Sequence, residues 1–453
     1  MNSGCDREYA GEPTLRWIFA LFVVVLLSSS LEAQAPKRGG YSERIAAGDQ
    51  WASQRQYDKA LREWKGAFEI YLPELRGKRF LAEVRPGFMK RPELSKFIRE
   101  ELDREMPPIE FERMRKAFVA LGLAKPTFRP GELLPRLYTE EIAGFYDPRK
   151  KTLFLIAESE GTPFDSMEQK ITLVHEMSHA LMDQHYDLEA MQRGVLQDDD
   201  ALVALTSLVE GEATAAMFAY AAGGKAFLRT PPSMAGQMFP MDGDLAAVGG
   251  PALRDAPKII VQSLIFPYGG GLKFVLDLTH RSGDWTEVDR AFRAPPISTE
   301  QILHPEKYRN GDDPPMRCQL VGVVEAAGDG WKEVTRNTLG ELGVSILLEE
   351  RGARGAERAA AGWGGDRYLI LEGPDGQLAV VVRTLWDTER DAQQFARSWR
   401  RSSPKAKVIR SKGREVLVIE GIPEERRAAV EAAASEGEWY PKRFPVRPPS
   451  RFR

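Results

Sequence analysis

The chain has 453 residues, of which 43% are hydrophobic, so it can bury a large core and form two or three domains. Its 63 Lys and Arg residues nearly balance its 66 Asp and Glu residues, which gives no basis for binding nucleic acid or an acidic membrane. Composition therefore predicts a globular protein with no nucleic-acid partner.

The first predicted element is a secretory signal at residues 1–35. Residues 17–27 form an uninterrupted apolar run, and Ala33 and Ala35 behind it are small residues that signal peptidase accepts. This run would rise only about 16 Å as a helix, against a hydrocarbon core of roughly 30 Å. We therefore expect export to the periplasm or the extracellular space. The alternative is a membrane-associated chain that retains this segment.

Residues 36–125 are predicted to be helical. Aromatic and small residues recur at helical spacing in a pattern that resembles one tetratricopeptide unit: Trp51, Tyr57, Ala60, Trp64, Ala67 and Phe68. A single unit cannot bury its own apolar face, and no second copy follows. We therefore expect a helical hairpin that packs on the main domain.

A central domain is predicted at residues 130–312. The segments GFYD and TLFLI, joined by a Pro-Arg-Lys-Lys turn, predict a β-hairpin. Helical periodicity begins at Ser166, and a second, apolar helix is predicted from about Asp199. Because that helix carries Glu210 and Glu212 in its middle, we interpret it as a buried helix rather than a membrane span. Residues 223–257 predict a long irregular segment of the kind that often covers a site.

Beyond the boundary segment RAPPISTEQILHPEKY, residues 315–435 show alternating strand patterns on either side of the helical segment TERDAQQFARSWRR. This order is typical of a small α+β domain. Residues 436–453 are predicted to form a tail.

His175, Glu176 and His179 form the pattern His-Glu-x-x-His on the first helix of the central domain. Four residues of helix turn by about 400°, so both imidazoles project from nearly one face and can share a Zn²⁺ ion. Glu176 lies beside that face, where it can take a proton from a metal-activated water and pass it to a leaving amine. The rival interpretation is a pair of surface histidines with a solvated glutamate. The preceding strands and the apolar face of the helix favour the metal site.

Four downstream residues are candidates for a third ligand: Asp183, His185, Glu210 and Glu212. His185 has the metzincin spacing, but Met182 replaces the glycine that would end the helix, and a continuous helix turns His185 about 240° from His179. Asp183 is as readily a hydrogen-bond partner for an imidazole. We prefer Glu210, because a carboxylate from a second helix completes a His₂Glu set with a fourth position for water. Glu212 is the fallback candidate, two residues after Glu210, and it projects about 200° away from Glu210 around the same helix.

These segments together resemble the gluzincins, zinc metallopeptidases in which a glutamate from a later helix joins the two histidines. The resemblance rests on LVHEMSHALMDQHYDL and on the Glu-Gly-x-Ala segment at 210–213, whose first glutamate is the ligand in that family. It extends to uncharacterised exported bacterial proteins of the same clan, which share AGFYDPRKKTLFL and PPISTEQILHPEKY. It implies a zincin-like fold, in which residues 152–156 would be the edge strand that binds extended substrate.

Two residues of the segment TEQILHPEKY are assigned to the site as well. His304 precedes a proline and so lies at a helix end or turn, from which it can donate to a developing oxyanion. Tyr308 is its rival and the candidate substrate contact. The alternative for His304 is a structural role at the domain junction. The glycine-rich FPYGGGLKF is interpreted as a helix start or as close packing, since it lacks the pattern of a phosphate loop.

We therefore expect an exported zinc peptidase of α+β, zincin-like fold, with Zn²⁺ held by His175, His179 and Glu210 and with Glu176 as base and acid. Its expected partners are a peptide or protein substrate and an envelope protein. The alternative function is a non-catalytic zincin-like scaffold, which the intact Glu176 opposes. A membrane-embedded protease is opposed by a mean hydropathy of -0.37 and by the lack of a second long apolar run.

Overall fold

The computed structural model describes residues 40–157, 166–222, 224–238, 249–402 and 408–444. The predicted signal at 1–35 lies outside these residues, and so does the middle of the predicted irregular segment. Within the described residues the chain combines many helices with a three-stranded and a seven-stranded sheet, so the expected α+β class is confirmed.

The described residues contain nineteen α-helices, ten β-strands and two short 3-10 helices, with helices and strands each numbered in chain order. The α-helices are α1 (Gly40–Ser53), α2 (Tyr57–Arg76), α3 (Arg91–Glu105), α4 (Pro108–Leu121), α5 (Pro130–Glu141), α6 (Ser166–Tyr186), α7 (Leu188–Val195), α8 (Asp199–Ala221), α9 (Ala235–Met238), α10 (Pro251–Asp255), α11 (Lys258–Thr279), α12 (Thr286–Arg293), α13 (Thr299–Leu303), α14 (Pro305–Asn310), α15 (Val323–Ala327), α16 (Gly340–Glu350), α17 (Ala356–Ala360), α18 (Glu389–Ser402) and α19 (Glu424–Glu436). The strands are β1 (Arg85–Lys90), β2 (Gly144–Asp147), β3 (Thr152–Ala157), β4 (Met316–Cys318), β5 (Lys332–Asn337), β6 (Trp363–Glu372), β7 (Leu378–Trp386), β8 (Val408–Lys412), β9 (Glu415–Glu420) and β10 (Trp439–Pro441). Short 3-10 helices occupy Lys225–Arg229 and Pro232–Met234.

Helices α1 and α2 form a hairpin that joins the central core. Trp64 of α2 is fully buried and its indole N–H donates to Asp49 Oδ1 at 3.1 Å. The rings of Phe68 and Tyr71 meet Tyr220 of α8 edge to face, with centroids 5.0 and 5.5 Å apart. The apolar face of the hairpin is thus covered by the helix that also carries Glu210.

The three-stranded sheet has the order β1-β3-β2, with β1 parallel and β2 antiparallel to β3. Residues 152–156 therefore lie in the central strand, and the expectation that they form a substrate-binding edge is wrong. Both sides of β3 are occupied by the ladders to Arg85–Lys90 and Gly144–Asp147, so its backbone groups have no room for a further strand.

Helices α8 and α11 form the centre of the core and approach each other at two glycines. A Cβ atom on Gly211 would lie 2.2 Å from the backbone carbon of Gly271, so neither position has room for a side chain. The glycine-rich segment FPYGGGLKF thus lies inside α11 and serves close packing, and its alternative interpretation as a helix start is wrong.

Both of these core helices are long and apolar enough to cross a membrane by length and composition. The chain therefore does have a second long apolar run, which the sequence was expected to lack. Of the most apolar stretch of each helix, 94% in α8 and 72% in α11 is buried within the structure, as in the core helices of globular proteins. These helices alone carry no argument for membrane insertion.

The seven-stranded sheet has the order β10-β4-β6-β7-β9-β8, with β5 paired to β6. Neighbouring residues of β6 contribute to opposite cores: Tyr368 packs toward α16 and α18, whereas Leu369 packs toward α15 and α19. The described part of the predicted tail, residues 436–444, belongs to the fold, because β10 pairs with β4 and Lys442 behind it is buried. Lys442 Nζ lies 3.0 Å from carboxylate oxygens of both Asp198 and Asp200 at the start of α8.

Candidate metal centre

The first two candidate ligands lie on α6, which runs without a break from Ser166 to Tyr186 beside β2. His175, Glu176 and His179 are all inside the protein, with exposed fractions of 1%, 1% and 5%. The alternative of surface histidines with a solvated glutamate is therefore wrong. Polar side chains at such depth need partners or a bound ion.

The side chain of Glu210 comes from the middle of α8 to meet both imidazoles. Its Oε2 atom lies 3.1 Å from His175 Nε2 and 3.4 Å from His179 Nε2, and the two Nε2 atoms are 3.0 Å apart. Donors that surround a tetrahedral zinc ion at about 2.0–2.2 Å lie roughly 3.3–3.6 Å from one another. The three donor atoms thus have nearly the separation that one shared ion requires.

The electrostatics of the cluster favour a positive charge at its centre. Burial lowers the pKa of His175 to about 4. Burial also opposes the charged form of His179, but the neighbouring Glu210 carboxylate outweighs it and raises the pKa of His179 to about 9. The pKa of Glu210 is lowered despite its burial, because the two imidazoles favour the carboxylate. The three side chains therefore favour one positive charge between them, which a proton or a metal cation can supply.

Glu176 lies next to the cluster without belonging to the three donors. Its carboxylate accepts the backbone N–H of Tyr146 on β2, and its Oε1 atom has no hydrogen-bond partner among the described residues. Burial raises the pKa of Glu176 to about 8. His175 Nδ1 is likewise buried without a partner in the described part of the chain. Two imidazoles and a carboxylate, with a second carboxylate beside them that has one oxygen free of hydrogen bonds among the described residues, fit a zinc-type ion with a neighbouring proton acceptor.

Tyr268 of α11 belongs to the same site and was missed by the sequence analysis. Its ring lies beside that of His175, with centroids 6.1 Å apart and planes at 28°. Its hydroxyl bonds to the Glu210 carboxylate, and burial raises the pKa of Tyr268 well above its usual range. The available signal was its position three residues before Gly271, almost one helical turn from the contact with α8.

Glu212 has different partners and does not join the two histidines. Arg76 Nε of α2 lies 2.6 Å from Glu212 Oε1, and the Ser178 hydroxyl donates to Glu212 Oε2 at 3.0 Å. Arg76 also pairs with Asp289 at 3.0 Å and lies over the ring of Trp285. Glu212 therefore belongs to an ion pair that joins the N-terminal hairpin to the helices that carry the three donor atoms.

The other two ligand candidates are also engaged elsewhere. Asp183 accepts the Tyr146 hydroxyl at 3.0 Å and pairs with Lys151 at 2.5 Å. His185 Nε2 lies 3.0 Å from the carbonyl oxygen of Arg79. Since α6 continues beyond Met182, His185 is turned away from the cluster as the helical geometry predicted.

The structure does not bring His304 or Tyr308 to the cluster. His304 Nε2 lies 2.9 Å from Glu341 Oε1 of α16, at the junction with the C-terminal sheet. The Tyr308 hydroxyl donates to the Ala294 carbonyl at 2.8 Å, and its ring packs against Phe274. No described contact joins either side chain to the donor atoms, so the position of His304 agrees with its alternative, structural assignment.

A second group of acidic side chains lies near His304, formed by Glu300, Asp313 and Asp387. The ammonium of Lys307 contacts all three, at 2.6, 3.1 and 2.5 Å respectively. This group therefore already surrounds a cation from the protein itself and links α13 and α14 to the end of β7.

Comparison with known proteins covers only the C-terminal part of the chain. Residues 330–436, from just before β5 to the end of α19, match a family model described as "Domain of unknown function (DUF8575)". No curated protein and no solved structure matches the chain. The cluster of His175, His179 and Glu210 lies outside the matched residues, so the match says nothing about its chemistry.

Proposed function

We propose that the protein is an exported zinc-dependent peptidase whose metal ion is held by His175, His179 and Glu210. The observation that carries this proposal is the convergence of three buried donor atoms, all within 4.8 Å of one another, next to a second carboxylate, that of Glu176, whose Oε1 atom has no hydrogen-bond partner among the described residues. Chance pairs of surface histidines have neither the burial nor the neighbouring acid. Export is supported by the apolar run at residues 17–27 and the small residues behind it.

When bound, zinc would supply Lewis-acid polarisation of a carbonyl group and would make water acidic enough to lose a proton near neutral pH. Glu176 is the group that would take this proton and return it to the leaving amine, because its free carboxylate oxygen lies beside the donors. The backbone N–H of Tyr146 holds the other part of the Glu176 carboxylate and so orients it.

Tyr268 acts through Glu210 in this proposal. A hydroxyl that donates to a ligand carboxylate fixes the direction of that carboxylate and withdraws part of its negative charge. Tyr268 is thus proposed as a positioning residue.

A zincin-like arrangement is part of the proposal. It is supported by the order of elements, in which a small sheet precedes the histidine helix α6 and the third donor comes from the later helix α8. The central position of β3 departs from the edge strand that the resemblance implied. The proposed residue roles therefore rest on the contacts of these side chains.

The test uses the full chain purified from a host that exports it. After dialysis we expect about one zinc ion per chain by mass spectrometry, and hydrolysis of a quenched fluorescent peptide mixture. His179→Ala is expected to lose both. His185→Ala is the matched control, since it removes a histidine from the same helix outside the cluster, and it should keep both. Wild-type protein that holds no zinc and cannot be reconstituted with it would contradict the proposal.

A further inference from the structure

A strongly basic segment lies in the C-terminal part of this nearly neutral chain. Residues 390–414 contain nine Lys and Arg residues and one acidic residue, Asp391, whereas the whole chain has a formal net charge of -3. The described part of this segment comprises most of α18, the edge strand β8 and the turn that leads into β9. The balanced composition of the whole chain therefore includes a local excess of positive charge.

Three arginines of α18 form one line along its exposed face. Arg397 and Arg401 follow Arg390 by seven and eleven residues. The three side chains therefore project within about 40° of one another over a rise of roughly 16 Å. All three are exposed, whereas Phe395 and Trp399 on the opposite face are buried in the core beneath the helix.

The two acidic residues of α18 lie off this line. Glu389 and Asp391 are the immediate neighbours of Arg390, so they project about 100° to either side of it. Asp391 also accepts the hydroxyl of Thr388 at 2.6 Å. The line of arginines therefore has no carboxylate of its own helix along its length.

Other helices of the chain pair surface arginines with a glutamate one turn earlier. Glu112 lies 2.5 Å from Arg115, and Glu189 lies 2.6 Å from Arg193. Such pairs, three or four residues apart, stabilise a helix and neutralise its surface.

Helix α18 departs from this arrangement. Gln394 and Gln393 lie three and four residues before Arg397, and Arg397 itself lies four residues before Arg401. Within the described ranges, no ion pair joins Arg390, Arg397 or Arg401 to a carboxylate. Like charges four residues apart destabilise a helix slightly, and an anionic partner would offset this cost.

Further basic side chains lie around this line. The carbonyl of Arg358 in α17 accepts the side-chain amide of Gln394 at 2.7 Å, which places the exposed Arg358 beside α18. At the start of the helix, Arg414 Nη1 donates to the carbonyl of Asp387 at 3.4 Å, and Lys412 is exposed in the same turn. The basic surface therefore extends beyond one helix.

The character of the exposed face favours a lipid surface over other anionic partners. Every exposed residue of α18 is Arg, Gln or Glu. Phe395 and Trp399 are fully buried, so the helix offers no ring on which nucleobases could stack. The centre of a protein interface is typically apolar and aromatic, which this face is not. Lipid phosphates require only positive charge, and guanidinium groups bind them in bidentate fashion.

We propose that the face of α18 that carries Arg390, Arg397 and Arg401 binds the surface of membranes rich in anionic phospholipids. The helix would lie on the headgroups without insertion, because its exposed face has no apolar residue. Each basic residue near such a surface contributes about fivefold in affinity. This inference does not depend on the proposed peptidase activity.

The test is cosedimentation of the full chain with lipid vesicles at about 0.1 M salt. One set of vesicles contains phosphatidylcholine alone, and the other contains about one third phosphatidylglycerol. The measured quantity is the bound protein that about 1 M salt releases, where the Debye length falls from about 10 Å to about 3 Å. Protein held by an inserted apolar segment would stay bound and is not counted. We expect salt-releasable binding to the anionic vesicles only, and equal binding to both sets would overturn the proposal.

A triple variant locates the contact. Arg390→Gln together with Arg397→Gln and Arg401→Gln is expected to weaken salt-releasable binding about 100-fold, because three contributions of about fivefold are lost. Gln has a helix propensity close to that of Arg, and the change removes a like-charge pair, so the helix should remain folded. Circular dichroism checks this. If the triple variant does not fold, Arg397→Gln alone is expected to lose about fivefold.

A control variant removes the same charge from other exposed positions: Arg62→Gln together with Arg99→Gln and Arg193→Gln. It should keep the affinity within about twofold, since these arginines lie on other helices. Equal losses in the two triple variants would assign the binding to net charge and overturn the proposal. It would also be overturned if wild type ignored the anionic vesicles but bound an oligonucleotide or a glutamate-rich peptide through α18.

Discussion

Arg76 and Glu212 form an ion pair in which neither side chain has any exposed surface. Arg76 ends the second helix of the N-terminal hairpin, whereas Glu212 lies two residues after the candidate ligand Glu210. Ser178, which donates to the same carboxylate, directly precedes His179. The hairpin therefore supports both helices of the candidate metal centre from behind, and it cannot be regarded as an independent peptide-binding unit.

Arg76→Met is expected to lower the free energy of unfolding by about 3–5 kcal/mol, because it leaves the Glu212 carboxylate buried without its cation. Urea denaturation measures the loss. Arg44→Met is the matched control, since its pair with Glu63 in the same hairpin is exposed and should contribute about 1 kcal/mol or less. Equal losses in the two variants would contradict the role of the buried pair.

Glu210→Ala and Glu212→Ala should separate metal binding from support. The first removes a donor atom and is expected to abolish zinc binding while the remaining core stays intact. The second leaves Arg76 unpaired, so it should lower stability and retain most of the zinc. Zinc content and urea denaturation of both proteins test this assignment, and the reverse result would make Glu212 the ligand.

Glu176→Gln is expected to keep the zinc ion and to lose about 10²-fold or more in peptide turnover, because the amide preserves the shape but cannot accept a proton. Turnover and zinc content are measured on the same preparation. Glu189→Gln, on the surface of α7, removes a carboxylate that pairs with Arg193 at 2.6 Å, away from the cluster, and should change neither quantity. Full activity in Glu176→Gln would favour a different base or a non-catalytic scaffold.

Tyr268→Phe should weaken zinc binding about 10- to 100-fold without unfolding the protein, since it removes the hydroxyl that bonds to Glu210. Competition with a chelator measures the affinity. Tyr308→Phe offers a comparison, because that hydroxyl bonds to the Ala294 carbonyl instead. If the two variants bind zinc equally well, Tyr268 does not position the ligand.

The stability of the fold should depend on pH through Asp199. Burial and the neighbouring Asp198 raise the pKa of Asp199 from 3.8 to about 7, although Asn337 and Arg367 favour the charged form. Between these two values the folded state binds more protons than the unfolded chain, so the free energy of unfolding falls as the pH rises from about 4 to about 7. Asp199→Asn should remove this part of the pH dependence. Urea denaturation of both proteins at several pH values would show parallel curves if Asp199 were not involved.

Local patterns in the sequence were sufficient to predict much of the secondary structure of the central domain. Helical periodicity predicts that α6 starts at Ser166 and that α8 starts at Asp199. The side chain of Asp198 caps α8 by accepting the backbone N–H of Ala201. The strands β2 and β3 follow from their alternating residues and the intervening turn. The approach of Glu210 to the histidines also agrees with the preference for a carboxylate on a second helix.

Other features depend on contacts between distant parts of the chain. The strand β1 has the sequence RPGFMK, whose proline and glycine disfavour a strand, and only its pairing with β3 reveals it. Three consecutive glycines lie within α11 although glycine disfavours helices, because packing against α8 outweighs local propensity. Tyr268 reaches Glu210 across that same contact, so its place in the site depends on the packing of two helices that are distant in the sequence.

The contacts of Lys442 limit where this chain can be truncated. The family match ends at residue 436, which makes that position an obvious place to cut. A fragment that stops there lacks both β10 and the ammonium that holds Asp198 and Asp200. The carboxylates of Asp198 and Asp200 would then lie at the N-terminal end of α8 without the Lys442 ammonium. This is the helix that carries Glu210. A boundary drawn from similarity alone would thus remove one strand of the C-terminal sheet and a buried cation of the central domain.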